Sequence, residues 1–201
     1  MAPPARRTPP SESYGDDRTS TRHPPNALAA IQGNASCALK DGTLTMLALF
    51  GSQNNGFSNS VRDQVRITEV SVTRGESGKS QAQVVCELEV CKDMLNIVDS
   101  MHGGCTVFLI DEISTLAVNA LEMHVYQAMP TTIMNVSQAI NTVYHAPAPF
   151  GTTLRVVGSC ISVDENSALF CRAEIWDINN QRMVATGTHI KMPPSQPKSR
   201  L

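Results

Sequence analysis

The spacing of hydrophobic positions changes period twice along the chain. Val65, Ile67, Val70 and Val72 mark one extended segment. From Gln83 to Val90 the pattern alternates, with Val84, Cys86, Leu88 and Val90 interleaved with Val85, Glu87 and Glu89. A period of two predicts a strand. The Glu76-Ser77-Gly78-Lys79 turn signal joins the two segments into a hairpin. After a loop at Cys91–Ser100 the period lengthens. Val107, Ile110, Ile113, Leu116, Ala117, Ala120 and Leu121 recur at three- and four-residue steps, a helix face that Phe108 and Leu109 widen. That helix should be largely buried. His124 to Pro130 reads as a connection. Period two then returns in Thr131–Tyr144, Leu154–Val163, Ala168–Ile178 and Arg182–Met192. Ala146-Pro147-Ala148-Pro149, Asp164-Glu165-Asn166 and Asn179-Asn180 supply the breaks. Leu169, Cys171, Ala173 and Ile175 share one face of their strand, opposite Phe170, Arg172, Glu174 and Trp176. Two strands, one buried helix and about four strands predict an α+β fold, one helix wrapped by a curved antiparallel sheet.

The ends of the chain read differently. Residues 1–25 are rich in Pro, Ser, Thr and Arg, and predict a disordered segment. Residues 26–60 form a partly helical lead-in: Ala27 to Ile31 suits a short helix, Leu44 to Phe50 a second apolar element, and 51–60 a loop. The folded domain spans 61–192, and 193–201 is a polar tail. At 201 residues a single domain is expected. A formal net charge of -2 gives a nucleic-acid role no support. Six cysteines are scattered without a C-x-x-C or Cys/His cluster, which predicts buried thiols in a reducing compartment and no metal site. No secretory signal is read at the start, and Glu12, Asp16 and Asp17 argue against a mitochondrial presequence. The expectation is an intracellular protein, cytoplasmic or mitochondrial, with no integral membrane segment.

Candidate chemistry centres on the helix. Gly103 and Gly104 stand at its start, where backbone N–H groups lack intrahelical partners and carry partial positive charge. Such a turn holds an anion or polarises a carbonyl. Asp111 is a carboxylate among Phe108, Leu109, Ile110 and Ile113, costly to bury unless partnered. The alternatives are a structural pair or cap, or an outward position beside Glu112. Gly104 and Asp111 lie at nearly the same angle around the helix but roughly 10 Å apart along it. One small reacting group cannot easily touch both within one chain. A symmetric dimer, in which one helix start meets a neighbour's Asp111, resolves the conflict. His102 reads as a residue that shapes the turn, with catalysis as the lesser alternative. His124, His145 and His189 are too far apart in sequence to suggest a site. There is no G-x-S-x-G elbow, Walker loop or G-x-G-x-x-G. Arg155, Arg172, Arg182 and Lys191 are basic residues available to phosphates, none singled out by the sequence.

Asn96, the His102-Gly103-Gly104 turn, Asp111 and the continuing Ile113-Ser114-Thr115 resemble hotdog-fold acyl-CoA thioesterases of the PaaI-like, acyl-CoA thioesterase 13-like family. The resemblance covers roughly 61–192, including VSQAINTVYHAPAPFGTTLRV as a third-strand segment and AEIWDINNQRMVATGTHIKM as a closing hairpin. It implies a single hotdog domain, an acyl-CoA substrate, no cofactor, and a homodimer or dimer of dimers. It also implies that Asn96 and the Gly103 N–H polarise the thioester carbonyl, that Asp111 acts as general base or nucleophile, and that Ser137 orients the water or Asp111. A carboxylate in an apolar wall is the stronger base. The stretch between Asp111 and Ser137 is longer than in many relatives, so a register shift there would displace Ser137. Two other readings remain: a hotdog hydratase or dehydratase acting on acyl thioesters, and a non-catalytic acyl-CoA-binding subunit.

Overall fold

The computed structural model describes residues 25–51, 57–76, 78–130, 135–163 and 168–193. Of the predicted disordered segment 1–25 only Pro25 is described, and it opens α1; 1–24, most of the 193–201 tail, the Asp164-Glu165-Asn166 turn, 52–56 of the 51–60 loop, Ser77 and the first four residues of the expected strand 131–144 lie outside those residues. The elements run α1 (Pro25–Ala29), α2 (Cys37–Phe50), α3 (Asn59–Arg62), β1 (Arg66–Arg74), β2 (Ser80–Glu89), a 3-10 turn (Lys92–Met94), α4 (Gly103–Tyr126), β3 (Val136–Tyr144), β4 (Thr153–Cys160), β5 (Leu169–Asp177) and β6 (Arg182–Met192). The six strands form one sheet in the order β1-β2-β4-β5-β6-β3, and each neighbouring pair is antiparallel. The sheet packs on α4, giving the one helix wrapped by an antiparallel sheet that the order of elements predicts, and the hotdog fold that the resemblance implies.

α4 is longer than the hydrophobic stripe suggests. It continues through His124 to Tyr126 and ends at Gln127, whose left-handed φ of 51° lets its N–H return to the Met123 carbonyl at 3.0 Å. The connection therefore begins three residues later than predicted. Every residue from Ile113 to Met123 is buried, because α2 packs on the side of α4 that the sheet leaves open. Gly42 of α2 comes so close that a Cβ there would lie 2.7 Å from the Met123 Sδ. By length and composition α4 is apolar enough to cross a bilayer, contrary to the reading that no stretch is; its burial between sheet and α2 accounts for that composition.

Two glycines set the depth at which α4 lies on the sheet. A Cβ on Gly158 of β4 would collide with the backbone carbonyl of Ile113. A Cβ on Gly187 of β6 would meet the Ile110 side chain at 2.7 Å. Bulges set the faces of the strands. In β1 the register slips between Ile67 and Glu69, so Ile67 and Val70 both face the core although they are three residues apart. Cys86, Cys160 and Cys171 are buried thiols as expected, and burial pushes the Cys171 thiol up to about 11. Cys91 and Cys105 are only half-buried and Cys37 is exposed, against the reading of uniformly buried cysteines.

Candidate active site

The start of α4 is built by local hydrogen bonds. His102 is the N-cap, extended at φ -64° and ψ 138°, and its Nδ1 accepts the Gly104 N–H at 2.9 Å. Its carbonyl accepts the Thr106 N–H at 3.1 Å. His102 thus shapes the turn. Among the described residues the Gly103 N–H has no partner, so a donor faces outward at the positive end of the helix. The lead-in loop is tied to this turn, with the His102 N–H donating to the Met94 carbonyl at 2.7 Å and the Met101 N–H to Ala148 at 2.8 Å. Within that loop Asn96 Oδ1 accepts the Val98 N–H at 3.0 Å and the Ser100 N–H at 3.2 Å. The amide plane of Asn96 is held through its oxygen, which leaves its Nδ2 as the end able to donate to a ligand.

Two turns along α4, Asp111 has a different setting from the one its neighbours suggest. Its side chain keeps 39% of its surface exposed within the chain. It faces polar groups rather than an apolar wall, so the expected apolar wall around the carboxylate is not what the fold builds. The Ser137 hydroxyl donates to Asp111 Oδ1 at 3.1 Å, and His189 Nε2 lies 3.4 Å from the same oxygen. His189 is completely buried and joins two hydroxyls, with Nε2 3.0 Å from Ser137 Oγ and Nδ1 2.8 Å from Ser114 Oγ. Since the Ser137 proton goes to Asp111, the oxygen of Ser137 accepts from His189 Nε2–H. The Ser114 hydroxyl has both Nδ1, at 2.8 Å, and the Asp111 backbone carbonyl, at 3.3 Å, within reach, and it is the burial of the ring that favours its neutral form. Burial pushes the His189 proton affinity down to about 4; Asp111 opposes that shift and Lys191 reinforces it. Lys191 is buried beside the same cluster, and burial lowers its pKa while Asp111 acts the other way.

Strand register brings these groups together. β3 pairs with β6, with Ser137 opposite Lys191, Ile140 opposite His189, Thr142 opposite Gly187 and Tyr144 opposite Ala185. A regular strand would put Ser137 on the opposite face from Ile140, Thr142 and Tyr144. The register shift between Ser137 and Ala139 absorbs Gln138 as an extra residue and turns Ser137 inward to Asp111. This shift lies after Ser137, not in the longer stretch between Asp111 and Ser137, and it turns Ser137 towards the site. His189 is the residue that sequence reasoning missed. Its available signal was the alternation of β6, which places His189 on the face of Ala185 and Gly187.

Other candidates are otherwise engaged. Glu112 receives Arg62 in a two-point contact at 3.0 and 3.1 Å, and the guanidinium also lies 5.3 Å from the centre of the Phe108 ring. Arg155 pairs with Glu69 and Glu87, Arg172 with Glu174, and Arg182 with Asp177. Each of these arginines has an ion-pair partner on the sheet, and His124 and His145 lie outside the Asp111 cluster. Within one chain the site is two clusters: Asn96 with the Gly103 N–H, and Asp111 with Ser137 and His189. They are separated by about 12 Å of helix.

A family model described as Thioesterase superfamily matches residues 99–184. Acyl-coenzyme A thioesterase 13 of Homo sapiens is 28% identical over 126 residues, 63% of this chain and 79% of that protein. The crystal structure of zebra fish thioesterase superfamily member 2 superposes with a TM-score of 0.57 at 25% identity, covering 76% of this chain and 96% of that one. The E. coli PaaI protein from the phenylacetic acid degradation operon shares the fold, with a TM-score of 0.53 at 17% identity over 77% of this chain and 94% of its own.

Proposed function

From the premise that the chain is a hotdog-fold protein of the PaaI-like, acyl-CoA thioesterase 13-like family, we propose that it hydrolyses acyl-CoA thioesters to a free acid and coenzyme A. The observation that carries the reading is the Ser137–Asp111–His189 cluster. The Ser137 hydroxyl binds Asp111 Oδ1 and leaves the other carboxylate oxygen to a water. Asp111 takes the proton of that water as it attacks the thioester carbon, or attacks that carbon itself. His189 holds the Ser137 oxygen from behind, so the hydroxyl has one direction in which to donate. His189 is a positioning residue in this scheme. Charge developing on the carbonyl oxygen is met by the Gly103 N–H and Asn96 Nδ2, donors fixed before the reaction begins. Residues 61–192 form the catalytic unit.

The two clusters meet in a dimer. Along the β1 edge the backbone is covered, since Gln32 and Ala35 hydrogen-bond to Thr68 and Val70. β3 is the other edge strand, and it carries exposed Val136, Val143 and Tyr144. Its first residues lie at Asp111 through Ser137, and its last lies at Gly103 through a hydrogen bond from Tyr144. Antiparallel pairing of β3 with its copy about a two-fold axis brings Gly103 of one protomer to Asp111 of the other. The assembly is a homodimer, alone or as half of a dimer of dimers. A hydratase would pair a carboxylate with His102, but the Nδ1 of His102 is taken by the Gly104 N–H at 2.9 Å, which makes that ring the cap of the turn.

The test is release of free coenzyme A thiol from a panel of acyl-CoAs by wild type and Asp111→Asn side by side. Wild type should release thiol. Asp111→Asn should lose about 100- to 10,000-fold in kcat with its fold and acyl-CoA binding retained. Undiminished hydrolysis by Asp111→Asn removes Asp111 from the mechanism, and no release by wild type removes the activity.

A further inference from the structure

We infer that Tyr144 is a positioning residue that fixes the Gly103 amide for its part in oxyanion stabilisation; the inference rests on the thioesterase reading. Tyr144 closes β3, and its hydroxyl donates to the Gly103 carbonyl at 3.1 Å. Its ring also fills the place of a side chain at position 103. A Cβ on Gly103 would lie 3.2 Å from the hydroxyl oxygen, 3.5 Å from Cζ and 3.6 Å from Cε1. The helix start is thus held from one side by a strand, and glycine is what lets that strand come so close.

Two neighbouring donors have other partners: the Gly104 N–H is bound to His102 Nδ1, and the Thr106 N–H to the His102 carbonyl. Among the described residues the N–H groups of Gly103 and Cys105 remain, and Gly103 is the one whose own carbonyl Tyr144 holds, so the direction of its N–H depends on that contact. A donor stabilises a developing oxyanion well only when it needs no reorganisation during the reaction. The first turn of a helix is also where the ladder is least complete. Tyr144 supplies the missing restraint through a side chain anchored in the sheet. It acts through Gly103 and is not assigned a contact with the reacting atoms. Its effect should fall on the transition state, where the carbonyl oxygen carries charge, and little on substrate binding.

The experiment uses the full chain with Tyr144→Phe, Gly103→Ala and the double variant, each measured for kcat, KM and thermal midpoint. Tyr144→Phe should lower kcat about fivefold, the size of one neutral hydrogen bond, with KM and midpoint near wild type. Gly103→Ala should lower kcat further, because its Cβ presses on the Tyr144 hydroxyl. In the double variant the 3.2 Å contact is gone and the nearest ring carbon stands at an ordinary 3.5 Å. Its loss should therefore be smaller than the product of the two single losses. Unchanged kcat in Tyr144→Phe overturns the inference and leaves the thioesterase reading standing. A fall in kcat that tracks a collapsed midpoint, or losses that simply multiply, does the same. No turnover by wild type on any acyl-CoA overturns both.

Discussion

His189 is held neutral inside the protein with a hydroxyl on each ring nitrogen, and this makes the fold sensitive to acid. Its proton affinity is depressed to about 4, first by burial and then by Lys191, while Asp111 works against the shift. An unfolded chain takes up a proton near pH 6.5 that the folded chain refuses until about pH 4. The contribution of His189 to stability is present above pH 6.5 and is lost as pH falls towards 4, amounting to roughly 3 kcal/mol at the lower end. Urea unfolding of wild type at pH 7.5 and 4.5 should show that loss, and His189→Gln, which has no proton to gain, should show a smaller one. Equal acid losses in the two proteins would assign the effect elsewhere. His189→Leu, which has no donor, should lower kcat about tenfold or more at pH 7.5, because the Ser137 hydroxyl loses the group that directs it towards Asp111.

At the scale of elements, the site exists because a helix and three strands come together at a set depth. α4 lies so close to β4 that Gly158 has the Ile113 backbone carbonyl where a side chain would begin. Backbone cannot step aside as a side-chain tip can. Gly158→Ala should therefore force helix and sheet apart and cost about 3 kcal/mol or more, read from the urea midpoint, with kcat falling as Asp111 moves away from Ser137. A variant of wild-type stability would show that α4 is free to shift. On the other side of α4, Arg62 of α3 grips Glu112 while resting on Phe108. This accounts for Glu112 being a structural carboxylate beside the one that faces Ser137.

At the scale of the molecule, the two halves of the site stand apart along one helix, and the proposal that a dimer joins them can be tested by mixing subunits. When Asp111→Asn and Asn96→Ala proteins are mixed in equal amounts and allowed to exchange, half of the dimers carry one of each. In those dimers one site combines an intact Asn96 and Gly103 with an intact Asp111. About a quarter of wild-type activity should return, although each variant alone is inactive. No recovery under verified exchange would mean that each chain builds its own site.

The sequence by itself determined the order of elements, the burial of the central helix and the glycine start of that helix. It also placed Asp111 on the helix, because all of these are written in local periodicity and spacing. A run of residues must match the period of the element it forms in order to bury its apolar face. Only the tertiary structure decided that β3 would cross to the far edge beside β6, that Gln138 would bulge and turn Ser137 inward, and that His189 would close the cluster from a strand 78 residues away. It likewise decided that Asp111 would face hydroxyl and imidazole while Glu112 was taken by Arg62. Pairing between distant strands is chosen by the packing of the whole sheet on α4, and one extra residue in a strand reverses the face of those before it. Neither leaves a mark in the local pattern of hydrophobic and polar positions.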